Sequence, residues 1–433
     1  MNNRKPVKQK GDPMKNWKKV AMFGAATLAA VTLAACSSNS SSSSSSNSGS
    51  STNPKDVKGD ITMWVDTTQL PYVKTVVSSF EKEYPNVKVN LTQSPTGSSN
   101  AKTDVTKDPT KAADVFEAPN DQLGQLASAG DVLQLTPDQV STVKSNDTES
   151  AVKGVTTKGN LYGYPFAEQA KVLFYNKSKL TADDVKTFSD LTSKGTLAMT
   201  ITDTQNGGQY TMVPNFISNG VKLYGSDGSD LSGSTFNTTA GKEVMSWIAG
   251  LKNNSGVIDA STAAISNLAS GKADAYFDGP WDSTSIKKAL GDNFAVTTYP
   301  TVNYGSGTKQ MQSFVGIETF AVNTNTKSQA ASIALAQYVT NKETQLNTWW
   351  KQQGQIPVNK DAQKDSSVAN DAMASATIKQ VGFSTLMPNL PEMANMWNLA
   401  GPLIVGAYNG TIPSSQFAAK LDTFNTAIAK SSN

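Results

Sequence analysis

Beyond residue 58 the chain alternates between short apolar runs with strand patterning and longer amphipathic runs with helical spacing. "GDITMWV" (59–65) reads as a strand, and "LPYVKTVVSSFEKEYP" places Tyr72, Val73, Val76, Val77 and Phe80 on one helical face, with Pro85 just after. "NVKVNLTQ" (86–93) and "ADVFEAP" (113–119) read as further strands, and "DQLGQLASAG" as a helix ending at Gly130. A strand–helix–strand rhythm of this kind buries its apolar faces as a mostly parallel sheet covered by helices.

The rhythm recurs downstream. Strands are predicted at "VLFYNKSKL" (172–180), "ADAYFDG", "FAVTTYP" and "IETFAVN" (317–323). Helices are predicted at "TAGKEVMSWIAGLKNNSG" (239–256), capped by glycine, at "STSIKKALG", and as one run through "SQAASIALAQYVTNKETQLNTWWKQQG"; from about Asn370 the chain reads as mainly helical. The body, from about Asp56, is too long for one typical domain and predicts two.

The preceding residues have a different character. Arg4, Lys5, Lys8, Lys10, Lys15, Lys18 and Lys19 form a basic leader before an apolar run from Val20 to Ala35 and then Cys36. This pattern predicts a secretory signal at 1–35 whose apolar core is short for a membrane span. Met14 is an alternative start, since "MKNWKK" is a complete basic region. Cys36 is the only cysteine, which excludes an intrachain disulfide and a cysteine metal cluster. The serine-rich tract up to residue 56 cannot bury apolar surface and predicts a flexible linker. Without the first 35 residues, 31 basic and 34 acidic residues remain, with no basic stripe for nucleic acid.

The chain contains no histidine, which removes His-dependent nucleophile systems and His metal ligands. No phosphate-binding G-x-x-x-x-G-K-[ST] loop is present. No cofactor and no metal are expected. A glycosidase working with two carboxylates stays open on these grounds, since it needs no histidine.

Several stretches together resemble the extracytoplasmic solute-binding proteins of ABC importers, near the maltose/maltodextrin-binding branch. They are "ITMWV" followed by "FEKEYPNVKV", "ADVFEAPNDQLGQLASAG", "YGYPFAEQAKVLFYNK", "GKADAYFDGPW" and "MPNLPEMANMW", in order from about 58 to 430. "LAAC" likewise resembles a lipobox, implying a diacylglyceryl thioether on Cys36, with an ordinary cleavage leaving a free thiol as the alternative. The resemblance implies an α/β, two-lobed periplasmic-binding-protein-like fold of type II. It implies an N-lobe of 57–167 plus 318–370 and a C-lobe of 168–317 plus 371–433, with hinge crossings near Glu168–Lys171, Phe314–Glu318 and Pro357–Asp371. The implied function is a lipid-anchored, monomeric, non-enzymatic receptor on the outer face of the cell membrane. It would bind maltose or maltodextrins between the lobes and hand them to a membrane permease.

A sugar needs flat aromatic rings for its C–H faces and convergent polar groups for its hydroxyls. The resemblance places stacking aromatics at Trp281 and Trp397, a carboxylate at Asp121, and a further aromatic at Tyr210; the bland alternatives are core packing for the tryptophans and a helix cap for Asp121. It places polar contacts at Asp66, Thr67 and Gln69, whose alternative is turn chemistry. Gln169 stands where the family often has a hinge glutamate, with Glu168 one place earlier and so on the opposite strand face. Gln122 and Gly401 stand where members carry basic residues. These departures predict sugar binding with altered affinity or preferred length. Tyr162 and Tyr164 are weighed as flanking groups, and Trp349 with Trp350 as packing.

One stretch, "DAYFDGPWD" (274–282), concentrates the question. Residues 275 to 278 read as strand and largely structural, Gly279-Pro280 as a rigid exit that aims Trp281, and Asp282 as the cap of the next helix.

Overall fold

The structure is a computed structural model that describes residues 53–431 apart from Asn206. The signal segment, Cys36 and most of the linker lie outside the described residues. Among the described residues, no helix is long and apolar enough to cross a membrane.

In chain order the principal strands are β1 (Gly59–Val65), β2 (Val87–Gln93), β3 (Val115–Pro119), β4 (Tyr164–Ala170), β5 (Val172–Asn176), β6 (Leu197–Met199), β7 (Val257–Asp259), β8 (Ala275–Asp278), β9 (Phe294–Thr297), β10 (Phe314–Val322), β11 (Ile356–Pro357) and β12 (Thr385–Leu386). They form two sheets. The first has seven strands in the order β11-β4-β10-β3-β1-β2, with β12 beside β10. The second has five, in the order β9-β5-β8-β6-β7. In the first sheet β2, β1 and β3 run parallel, whereas β4 and β10 join antiparallel. In the second, β8, β6 and β7 are parallel and β5 is antiparallel to β8.

Each sheet buries its own apolar surface. Helix α1 (Leu70–Glu83), with Pro71 in its first turn, lays Val73, Val76, Val77 and Phe80 on the first sheet's core. Helix α2 (Asn120–Ala129) ends at left-handed Gly130, the expected C-cap. In the second sheet, period-two alternation sends Leu173, Tyr175, Ala275 and Phe277 into one core and Val172, Phe174 and Tyr276 into another. The first of these cores also takes helices α3 (Gly208–Ser218), α4 (Thr239–Leu251), α8 (Met393–Asn409) and α9 (Phe417–Ile428). The second takes α5 (Ser283–Leu290) and α7 (Ala372–Val381).

The chain passes between sheets with very little connection. β4 ends at Ala170 and β5 starts at Val172, so Lys171 alone spans the step. Its N–H donates to Ser313 Oγ at 3.0 Å, immediately before β10.

Local polar chemistry moved several boundaries. The strand predicted over 172–180 stops at Asn176, whose Oδ1 accepts from Ser178 N at 3.0 Å and turns the chain. The helix predicted over 239–256 stops at Leu251, and Asn254 Oδ1 accepts from Gly256 N at 3.0 Å in the turn beyond. The single long helix predicted over 328–354 is broken. Helix α6 (Gln329–Val339) ends, and Asn341 Oδ1 caps a new start by accepting from Thr344 N at 2.8 Å. A wider helical turn over Gln345–Trp350 follows, and Trp349 donates from Nε1 to Val339 O at 2.7 Å. Trp349 and Trp350 are both buried, as packing groups are.

Candidate ligand-binding site

Asp121 lies in the first turn of α2, just past the carboxyl end of β3, where strand ends of open α/β sheets gather ligand groups. It is not the helix cap, because Pro119 holds that position. Its Oδ2 accepts from Trp397 Nε1 at 2.9 Å, and Trp397 belongs to α8 on the second sheet's core. The two predicted site residues therefore meet across the halves of the molecule. Burial pushes the Asp121 carboxyl up to about 6, while the Trp397 bond works in the opposite direction.

An aromatic cluster continues from this bond. Tyr210 on α3 lies 6.3 Å from Trp397 and 6.3 Å from Trp281, edge-on to the latter at 65°. Phe314, at the start of β10, meets Tyr210 at 5.9 Å and Trp397 at 5.8 Å. Trp281 is among the exposed large apolar residues, with 38% of its surface open. Its orientation comes from Gly279: a Cβ there would sit 2.2 Å from the Trp281 ring carbons Cη2 and Cζ3, so the indole lies directly over the glycine. Asp282 occupies the N-cap position of α5 as expected, but its side chain makes no capping hydrogen bond; its charge acts on Asp278 and Lys171 instead.

Below this cluster sits a buried ion pair that the sequence reading passed over. Lys171 Nζ lies 3.7 Å from Asp278 Oδ1, 3.1 Å from Thr211 Oγ1, and 5.9 Å from the Tyr210 ring centre. Asp278 Oδ2 has no hydrogen-bond partner. Residues 275–278 were expected to be largely structural, and Asp278 departs from that.

Two more carboxylates were missed, Glu117 on β3 and Glu318 on β10. Glu318 pairs with Pro119 and Phe320 with Glu117, so both glutamates project from the same sheet face. Gly316 and Gln169, a directly opposed pair, share that face. Tyr210 Oη closes over it, 3.6 Å from where a Gly316 Cβ would be. Glu117 Oε1 accepts from Gln69 Nε2 at 2.9 Å, whereas Glu117 Oε2 and Glu318 Oε2 are buried without partners. Burial and mutual repulsion hold the Glu117 carboxyl well above the ordinary carboxylate range, and burial with the Asp66 and Asp121 charges does the same for Glu318. A charged residue inside an otherwise apolar strand run was the available signal.

The remaining candidates are held by the scaffold. Asp66 accepts from Ser98 N at 2.6 Å and Ser98 Oγ at 2.8 Å. Gln69 links the Asp66 N–H, at 3.1 Å, to Glu117. Thr67 is exposed and donates to Gln93 Oε1 at 3.2 Å. Gln122 accepts from Lys102 N at 2.8 Å and donates to Ser99 O. Gln169 is buried and donates to Gln355 Oε1 at 2.7 Å, while Glu168 on the opposite face accepts from Ser150. A Cβ at Gly401 would meet Thr204 Cγ2 at 2.8 Å and Gln209 Nε2 at 3.2 Å, so a larger residue there requires those side chains to shift. Tyr162 and Tyr164 pack on the first core. A cavity of about 470 Å³ beside Phe188 and Trp247 lies elsewhere, and the Thr187, Thr192, Asn254 and Thr301 side chains that line it are already bonded within the protein. Among the described residues, no cluster of acidic, Cys or His side chains could hold a metal ion.

This arrangement combines an open indole, a tyrosine and a second indole with carboxylate oxygens that lack donors. It can hold a neutral, hydroxyl-rich ligand. The family description "Bacterial extracellular solute-binding protein" matches residues 75–376. The solved structure of a maltodextrin-binding protein from L. casei BL23, without ligand, is 52% identical with a TM-score of 0.80, over 87% of this chain and 100% of that one. A maltooligosaccharide ABC transporter solute-binding lipoprotein of Streptococcus pneumoniae is 28% identical, over 91% of this chain and 93% of the relative. A galactooligosaccharide-binding protein of Bacillus subtilis is 25% identical, over 79% and 82% respectively.

Proposed function

The chain belongs to the bacterial extracellular solute-binding proteins, which bind rather than convert their ligands, and we propose that its ligands are maltose and maltodextrins, delivered to the permease of an ABC importer. The observation that carries this reading is the Asp121–Trp397 hydrogen bond beside Tyr210 and Trp281, which joins stacking rings and a carboxylate from both halves at one place. In this reading the lobes are 57–167 with 318–370 and 168–317 with 371–433, and sugar binds in the cleft between them. Trp281, Trp397 and Tyr210 stack on sugar faces, and Asp121 accepts from hydroxyls. Asp66, Thr67, Gln69, Gln122 and Gln169 shape the walls. Cys36 carries the lipid anchor, and the receptor works as a monomer outside the cell membrane.

Calorimetry of residues 57–433 with maltose through maltoheptaose tests the reading. Saturable heat with maltodextrins supports it. Heat only with galactooligosaccharides would select the second reading, a different oligosaccharide, which the Bacillus subtilis relative favours. Glucose release from maltotriose in proportion to protein would replace binding by hydrolysis.

A further inference from the structure

A buried glutamate and a half-buried neighbour, each with a buried and unused oxygen, need an explanation that neither packing nor the stacking site supplies. Glu117 is 2% exposed, and its Oε2 is unpartnered. Glu318 lies on the neighbouring strand, on the same face, and its Oε2 is unpartnered too. Neither forms an ion pair among the described residues. A buried polar oxygen left unpaired costs about 1–3 kcal/mol, more when charged. Two such atoms, on diagonal neighbours of one sheet face, mark a place where a donor arrives from outside.

We propose that Glu117 and Glu318 share one proton and receive a single ligand hydroxyl between their free oxygens, so that ligand capture weakens at alkaline pH. A hydroxyl carries one donor and two acceptor lone pairs. It donates its hydrogen to the ionised carboxylate and accepts from the protonated one, which satisfies both orphans at once. Two ionised carboxylates leave the hydroxyl only one hydrogen for two charges, and like charges at close range resist burial together.

The surroundings favour retention of the proton. Asp66 after β1 and Asp121 on α2 add negative charge around the pair, and Glu117 and Glu318 repel each other. Tyr210 closes the face with a neutral phenol. Lys171, 5.9 Å from the Tyr210 ring centre, is engaged with Asp278. Gln69 donates to Glu117 Oε1 and leaves Oε2 free. The inference rests on the sugar-binding reading for its ligand, but not for its proton.

Two measurements on the full chain separate these. In the first, carbon-detected NMR follows the glutamate carboxyls of the ligand-free protein with pH. Glu117 and Glu318 should titrate far above ordinary glutamates, and Glu117→Gln should bring Glu318 down. Titration of both in the ordinary range overturns the pair, whatever the ligand. In the second, calorimetry with maltotriose runs from pH 6 to 9.5. Wild type should weaken about tenfold between pH 7 and 9.5, about 1.4 kcal/mol. Glu318→Gln, which keeps a donor and an acceptor, should stay within about threefold of wild type at pH 7 and remain flat above. Glu318→Ala should lose tenfold or more at pH 7 with an unchanged circular-dichroism spectrum. A flat wild-type profile, or a Gln variant that falls with pH as wild type does, overturns the hydroxyl bridge. High carboxyl titration with no maltodextrin heat at any pH supports the shared proton and rejects the sugar reading instead.

Discussion

Replacing Trp281 with alanine separates a stacking plate from a core residue. The indole is 38% open, which for a side chain of this size leaves roughly 90 Å². Covering that area with a sugar ring at about 25 cal/mol per Å² contributes about 2 kcal/mol, or about thirtyfold in Kd. The covered part of the ring rests on Gly279 of its own loop and on Tyr210. A core tryptophan loses about 3–5 kcal/mol on truncation, whereas this one should lose less than about 1.5 kcal/mol. Calorimetry with maltotriose reads the first number, and urea unfolding of the ligand-free protein reads the second. Unchanged affinity together with a stability loss in the core range would refute the reasoning, because the ring would then serve packing alone.

Gly279→Ala should reproduce much of that affinity loss while leaving Trp281 in place, since a methyl 2.2 Å from its ring must turn the indole; wild-type affinity would show the ring's direction to be unimportant. Asp121 titrates near 6 when folded against 3.8 ordinarily, so the native state holds a proton that the unfolded chain releases between about pH 4 and 6. Stability should fall as pH rises through that window, by at most about 3 kcal/mol at 1.36 kcal/mol per pH unit. Asp121→Asn keeps an acceptor for Trp397 and should remove that contribution in urea melts from pH 4 to 8, and parallel slopes in both proteins would count against it. Cys36→Ala should release the protein into the medium or leave an unprocessed precursor, as cell fractionation will show; normal anchoring would defeat the lipobox reading.

Much of the architecture was readable because burial imposes periodicity. β1 was located residue for residue, and the buried face of α1 emerged from its spacing. Boundaries failed where a single amide rewired the backbone, as at Asn176, Asn254 and Asn341. Resemblance supplied Asp121, Tyr210, Trp281 and Trp397 as candidates, and the structure sets them beside one another. Glu117 and Glu318 were missed because each is an isolated acid in an apolar run, and only the antiparallel pairing of β3 with β10 makes them neighbours. Lys171 and Asp278 meet through the pairing of β5 with β8, which no local spacing encodes.

The Asp121–Trp397 bond has a consequence in time as well as in space. In the proposed reading both partners are groups a sugar engages, and here they engage each other. A ligand hydroxyl that takes the place of Trp397 Nε1 on Asp121 waits for that bond to open. With rising sugar concentration the observed association rate should therefore climb and then level off, and the plateau is the opening rate of one hydrogen bond and the rings that lean on it. A receptor built this way sets its pace from within, and crowding more sugar around it brings no further speed.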